Sequence, residues 1–220
     1  MGKISILTKE QKEILSFIKE TPYISSQFYF TGGTALSEYH LHHRYSDDLD
    51  FFSEKPIDAE KLFTIVTNWA QRLHATVKTR LIDNRMYICI FTFKNKSELK
   101  IDLCYYDHLC IEKKSIINGI QIDSEFDIAV NKLVTISQRS SVKDFVDLYY
   151  LLPKYGYWDL AHAAKQKFLV EVDPVLFGSD LLIVENFDHL PRMIKKLTLK
   201  ELKSFFREKA IEIGKTGLKK

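Results

Sequence analysis

Thr31-Gly32-Gly33-Thr34-Ala35-Leu36, followed by His43-Arg44-Tyr45-Ser46-Asp47-Asp48-Leu49-Asp50-Phe51-Phe52, is the stretch on which the reading of this chain turns. Ahead of it, Phe28-Tyr29-Phe30 reads as a short buried strand that stops at the glycines, and 35–43 reads as a helix. A strand that ends in Gly-Gly-Thr and opens a helix lets main-chain N–H groups approach a phosphate, and the helix N-terminus adds partial positive charge there. Leu49-Asp50-Phe51-Phe52 returns to strand character. Alternate side chains of a strand share a face, so Asp48 and Asp50 point the same way while Leu49 and Phe51 face the core. Asp47 falls on the opposite face and reads as solvent-facing.

Two carboxylates held side by side repel each other unless a cation sits between them. Hard oxygen ligands of this kind suit Mg²⁺, which also binds substrate phosphates. A third acid stands at Asp102 in Leu99-Lys100-Ile101-Asp102-Leu103, flanked by apolar residues as the one polar side chain of a strand face. Three acids on neighbouring strands would hold two metals, the arrangement that clamps attacking and leaving oxygens in phosphoryl or nucleotidyl transfer.

Working outward, Lys9–Lys19 carries Ile14, Leu15 and Ile18 at helical spacing behind the cap residue Thr8. Pro56 and Asp58 start another helix that runs to about Leu73. The runs 75–82, 86–93 and 99–105 have β composition, with turns at Asp83-Asn84 and Asn95-Lys96-Ser97, and short connections imply antiparallel pairing. Asn118-Gly119 marks a tight hairpin. After Ser124 the period turns helical, with helices expected over 124–137, 142–152, 159–168 and 199–213. The expected architecture is α+β: residues 1–123 as a core with a small mixed sheet flanked by helices, and 124–220 as a helical region packed on it.

The ordered set of Gly-Gly, a helix, Asp-x-Asp on a strand and a later strand Asp resembles the DNA polymerase β-like nucleotidyltransferase superfamily. The wording TGGTAL…HRYSDDLDFF resembles, more narrowly, the AbiEii/AbiGii toxin family of bacterial toxin–antitoxin and phage-defence systems. The second half is similar to that family's helical motif: Asp127-Ile128-Ala129, Asn131-Lys132-Leu133, Arg139, then Lys143-Asp144-Phe145-Val146-Asp147-Leu148. The resemblance implies that Gly32, Gly33 and Thr34 contact nucleotide phosphates and that Asp48 and Asp50 bind the catalytic metals. It further implies that Asp102 is a metal ligand or general base, that Lys132 holds the triphosphate, that Asp144 is a further catalytic acid, and that Arg139 and Lys143 shape the site. The superfamily pattern has Gly-Ser where this chain has Gly-Gly-Thr, so the hydroxyl of Thr34 is shifted by one position. The implied reaction moves a nucleoside monophosphate from an NTP to an acceptor, an RNA such as the 3′ end of a tRNA, with Mg²⁺ or Mn²⁺, and the implied partner is a cognate antitoxin.

Other features read more plainly. Asp147 and Tyr149 read as structural residues. His40, His42 and His43 lack a Cys or second His pair at zinc-ligand spacing. Ser46 is a turn residue without a base nearby in sequence. Cys89, Cys104 and Cys110 form no C-x-x-C pair and read as reduced thiols of a cytoplasmic protein. No apolar run approaches the roughly 20 residues a membrane span needs, and the start MGKISILTKEQKE lacks a signal-peptide core. The net charge of +3 is unevenly spread. Pro191 to Lys220 holds ten Lys or Arg against three Glu, a net of +7, which leaves −4 for the preceding 190 residues. A basic tail beside an acidic region suits a polyanion such as RNA, or else simply solvates a helix face. Two alternatives remain open on these grounds: a small-molecule nucleotidyltransferase, and a non-catalytic nucleotide- or RNA-binding regulator.

Overall fold

In the structure, a computed structural model, residues 5–217 are described, and the Met1-Gly2 start and the last three residues of the basic tail lie outside them. The chain divides into two units. One runs to His40 and continues through Ser46–Leu109 and Lys113–Ser124; the other comprises Leu41–Tyr45, Cys110–Glu112 and everything from Glu125 onward.

The first unit holds a seven-stranded mixed sheet made of β1 (Phe28–Thr31), β2 (Leu49–Ser53), β3 (Thr76–Ile82), β4 (Met86–Thr92), β5 (Glu98–Tyr105), β6 (Ser115–Ile117) and β7 (Ile120–Ile122). The order is β3-β4-β5-β2-β1-β7-β6, with β2–β5 and β1–β7 parallel and the other pairs antiparallel. Alternation decides the faces. β4 buries Tyr87, Cys89 and Phe91, and β2 buries Leu49, Phe51 and Ser53, leaving Asp50 and Phe52 half-buried on the other side. β5 lies between β4 and β2 and is buried on both faces from Ile101 to Cys104, as an interior strand with a parallel neighbour requires. Asp83-Asn84 and Asn118-Gly119 take positive φ at both positions, the geometry that matches hairpin twist.

The helices of this unit are α1 (Lys9–Glu20), α2 (Pro22–Gln27), α3 (Gly32–Ala35) and α4 (Ala59–Arg72). Thr8 caps α1 in a reciprocal box with Gln11, and Asp58 caps α4 by accepting from the Lys61 N–H. The helix after β1 starts at Gly32 rather than Ala35 and widens into a π-helical turn over Leu36–Leu41. The short α2 carries no apolar period for sequence reading to detect.

The second unit contains α5 (Glu125–Gln138), α6 (Val142–Tyr155), α7 (Tyr157–Phe168), α8 (Pro174–Leu181) and α9 (Leu199–Gly217). α6 runs past the expected Leu152, through Pro153, and stops at Gly156 with φ +71°. The sequence reading passes over α8 because its run PVLFGSDL lacks a clear polar face and contains a glycine. That glycine has a packing reason: a Cβ on Gly178 would lie 2.9 Å from the Ala210 carbonyl oxygen of α9. α9 buries Leu202, Phe206, Ala210 and Ile213, and Phe206 meets Phe145 of α6 edge-on at 5.1 Å. No helix among the described residues is long and apolar enough to cross a membrane.

One buried ion pair ties this unit together. Lys167 Nζ of α7 lies 2.6 Å from Asp127 Oδ1 of α5, both side chains fully enclosed. The same carboxylate accepts the N–H groups of Ile111 and Glu112 at 2.9 Å each, which is why that short segment belongs with the helices. Burial would raise the Asp127 pKa, but the Lys167 hydrogen bond and the two backbone donors lower it, so the carboxylate stays charged. Removing one partner strands the other charge in the interior. Lys167→Met is expected to destabilise the protein by about 3–5 kcal/mol in urea unfolding; a loss under about 1 kcal/mol would show that Asp127 needs only its backbone donors.

Candidate active site

Parallel pairing of β2 with β5 sets Asp50 directly beside Asp102 in the register, and Asp50 lies opposite Thr31 at the end of β1. The three acids and the glycine turn therefore meet at one end of three adjacent strands. Gly32 is what makes room. It has φ +73°, and a Cβ there would fall 2.8 Å from the Asp50 carboxylate carbon and 2.9 Å from its Cβ. Only a residue without a side chain lets the turn close over this carboxylate.

Asp48 is held through its main chain. The Thr34 hydroxyl, fully buried, donates to the Asp48 carbonyl oxygen. Gln11 Nε2 donates to the carbonyl oxygens of Ser46 and Asp47 at 3.0 Å each, so the helix α1 fixes the loop that delivers the first acid. On the other side of the turn, the Thr31 hydroxyl donates to buried Asp123 at 2.7 Å, and Asp123 N–H donates to the Phe30 carbonyl. Gln11 and Asp123 are residues that sequence reasoning passed over. Gln11 does sit at the N3 position of a capping box, which is a signal for a cap and not for a loop clamp.

Asp102 is 7% exposed. Its Oδ2 accepts from Lys100 Nζ at 2.6 Å, whereas its Oδ1 is buried with no hydrogen-bond partner among the described residues. A buried carboxylate oxygen left without a partner is unfavourable unless something outside the chain completes it. Three carboxylates with one such oxygen form a donor set that suits a hard divalent cation. Burial works to lower the Lys100 pKa, yet the hydrogen bond to Asp102 and the charges of Asp102, Asp48 and Asp50 raise it above the ordinary lysine value. Lys100 is therefore a charged neighbour of the cluster, also unremarked in the sequence.

The remaining expected site residues, Lys132, Arg139, Lys143 and Asp144, belong to the second unit. Lys132 is almost fully buried, and its ammonium is shared between Asp144 Oδ1 at 2.6 Å and Asp147 Oδ2 at 2.7 Å. Arg139 grips Asp144 through Nε at 2.8 Å and Nη2 at 3.2 Å, while 65% of its side chain stays exposed. Lys143 lies half-buried in the first turn of α6. Asp147 is the hub: Arg44 Nε and Nη2 donate to its two oxygens at 2.6 and 2.8 Å, and His43 Nε2 lies 2.7 Å away. Burial would raise its pKa, but the charges of Arg44 and Lys132 and the hydrogen bonds of His43 and Arg44 pull it well below the ordinary carboxylate value. The His43-Arg44 pair, which sequence places just before the acidic motif, is thus anchored on α6.

A family model described as nucleotidyl transferase AbiEii toxin, type IV TA system, matches residues 20–217. The chain belongs to that family. An uncharacterised protein of Aquifex aeolicus (strain VF5) is 36% identical to it over 163 residues, which is 72% of this chain and 73% of that one. Among solved structures, JHP933 from Helicobacter pylori superposes with a TM-score of 0.58 at 22% identity, over 97% of this chain and 95% of that one. The nucleotidyltransferase toxin MenT4 from Mycobacterium tuberculosis H37Rv gives 0.57 at 14% identity, over 91% and 82%. At such identities the likeness is one of fold. Membership in the AbiEii family carries the reaction class, nucleotidyl transfer.

Two outcomes follow from this geometry. Gly32→Ala is expected to lower nucleotidyl-transfer activity by about 10²-fold through displacement of Asp50, and stability by about 1–2 kcal/mol through the positive φ. Kinetics beside urea unfolding separates the two effects, and unchanged activity would show that the turn tolerates a side chain. The second outcome concerns pH. Burial lowers the His43 pKa below its ordinary 6.5, so below that pH the unfolded chain binds a proton that the folded protein resists, and stability falls. Asp144 and Asp147, both lowered below 3.8, contribute stability that is full above that value and lost as pH falls through their folded values. Urea midpoints measured from pH 8 to 3 should fall in two stages, and His43→Gln should remove only the first; a single stage below pH 4 in the unaltered protein would contradict this.

Proposed function

We propose that this AbiEii-family protein transfers a nucleoside monophosphate from an NTP to an RNA acceptor, the 3′ end of a tRNA, releasing pyrophosphate. Asp48, Asp50 and Asp102 hold Mg²⁺, or Mn²⁺ in its place, and the protein acts in the cytoplasm as a toxin restrained by a cognate antitoxin. The observation that carries the reading is the meeting of three carboxylates at one sheet end, with Asp102 Oδ1 buried and unpartnered.

When bound, the divalent cation would neutralise the acids and the phosphates and lower the barrier to displacement at phosphorus. The chain's own part is positioning. Gly32 keeps Asp50 seated under the turn, and the main-chain N–H groups of Gly33 and Thr34 are the proposed phosphate contacts. Thr34 does not use its hydroxyl for this, since that group is committed to Asp48. Asp102 serves as metal ligand or as the base that accepts the acceptor hydroxyl proton. The family resemblance assigns Lys132, Arg139 and Lys143 to the triphosphate, and within the second unit Asp144 fixes Lys132 and Arg139 in place. Arg139 keeps 65% of its side chain exposed while it holds Asp144. Support for a polyanionic acceptor comes from Lys195, Lys196 and Lys200, which are exposed.

Incubation with each labelled NTP, Mg²⁺ and total tRNA tests this directly. The unaltered protein should transfer label to RNA, and the Asp48→Ala/Asp50→Ala variant should lose at least about 10²-fold of that activity. Transfer by neither protein, with Mg²⁺-dependent NTP binding intact, would overturn the RNA acceptor. No NTP binding at all would overturn the nucleotidyltransferase reading.

A further inference from the structure

We infer that Lys100 is a tethered cation that occupies the acid cluster of the free protein and keeps divalent ions from binding there tightly until nucleotide arrives. The inference rests on the metal-site reading above and concerns a residue that reading does not use.

The placement follows from register. Lys100 precedes Asp102 by two residues on β5, so both side chains lie on one face of the sheet. The parallel pairing of Leu49 with Ile101 puts Lys100 level with Asp48, the residue just before β2. Lys100 thus stands between the first and third acids, and its ammonium touches Asp102 Oδ2 at 2.6 Å. An ordinary surface ion pair joins two solvated groups and is worth little. Here the partner is a carboxylate with only a tenth of its side chain exposed, while the lysine side chain is 40% exposed at the mouth of the cluster.

A divalent cation seated on Asp102 would lie within a few ångströms of this ammonium, and like charges at that range repel strongly. Binding of the ion therefore requires Lys100 to leave Asp102 or to be offset by new negative charge. A triphosphate offers both, because its anionic oxygens can accept the ammonium. Ion and nucleotide then raise each other's affinity, reciprocally and by the same factor. The consequence is a protein that collects its metal with its substrate and not before.

Binding of Mn²⁺ alone, followed by electron paramagnetic resonance with and without a non-hydrolysable NTP analogue, reads this out without any turnover. The unaltered chain should bind Mn²⁺ weakly by itself and about tenfold or more tightly with the analogue. Lys100→Met should bind Mn²⁺ about tenfold more tightly without nucleotide, and the analogue should then add less. Lys100→Arg, which keeps the charge, should behave like the unaltered chain, whereas a purely structural role for the aliphatic stem would leave Lys100→Met unchanged as well. Equal or weaker Mn²⁺ binding by Lys100→Met in the absence of nucleotide overturns the inference. Failure of the metal-site reading looks different: Asp102→Asn would then leave Mn²⁺ binding unchanged with the analogue present.

Discussion

Three carboxylates brought to one end of a sheet repel one another, and the first unit is arranged around that repulsion. A pair of unit charges about 4 Å apart near a protein surface costs on the order of 1–4 kcal/mol. Part of the offset is Lys100, paired with Asp102, and the rest lies behind the acids. Leu49, Phe51, Ile101 and Leu103 alternate with Asp50 and Asp102 on β2 and β5 and are all fully buried. Each such side chain stabilises by about 1.5–3 kcal/mol when it leaves water. The apolar back of the strands thus holds an electrostatically unfavourable front in place. The front is finished by contacts that cannot be lengthened: Gly32 against Asp50, the Thr34 hydroxyl on the Asp48 carbonyl, and Gln11 on the loop before it.

The second unit treats buried charge in the opposite way. Arg44, Lys132, Asp144 and Asp147 balance one another, and the oxygens of both carboxylates are engaged. Such a closed network fixes the geometry of the segments that enter it more than it adds net stability, because desolvation cancels much of the attraction. Here it fixes the 43–44 segment on α6, and backbone pairing with the strap around Met193 holds the same residues from another side. The carboxylate oxygens are all engaged in that network, whereas in the first unit Asp102 pairs with Lys100 through Oδ2 and keeps Oδ1 buried without a partner among the described residues. A buried carboxylate oxygen of that kind calls for a ligand, which is why the acids of the sheet carry the functional reading.

Much of this was legible in the sequence because it depends on period and punctuation. Alternation in Met86–Thr92, the Asn-Gly and Asp-Asn turns, the Thr8 cap and the Asp-x-Asp spacing each state a local rule, and the elements they predict are present. What escaped depends on partners far away in the chain. Gln11 reaches across 35 positions to Ser46, and Thr31 across 92 to Asp123. α8 escaped because its run shows no clear polar face and contains Gly178, although Asp173 caps it and Pro174 opens it. Asp144 and Asp147 illustrate the same limit. Three apart on one helix face, they are alike in sequence and both fully buried, yet Asp147 is the hub held by Arg44 and His43 while Asp144 shares its oxygens with an exposed arginine.

The Gly-Gly-Thr turn shows how a departure from a superfamily pattern can preserve its purpose. A hydroxyl one position along the turn invites the thought that Thr34 replaces a serine as a phosphate contact. In this structure the hydroxyl is buried and donates to the Asp48 carbonyl, and a single hydroxyl hydrogen has one acceptor at a time. The shift instead turns the hydroxyl inward, where it fixes the start of β2 and with it the spacing between Asp48 and Asp50. The first glycine completes the exchange. With no side chain at Gly32, the turn lies directly over Asp50, which leaves its main-chain N–H groups as the proposed anion contact. In this family member the turn thus serves the acids first, and whatever it offers to a phosphate it offers through its backbone.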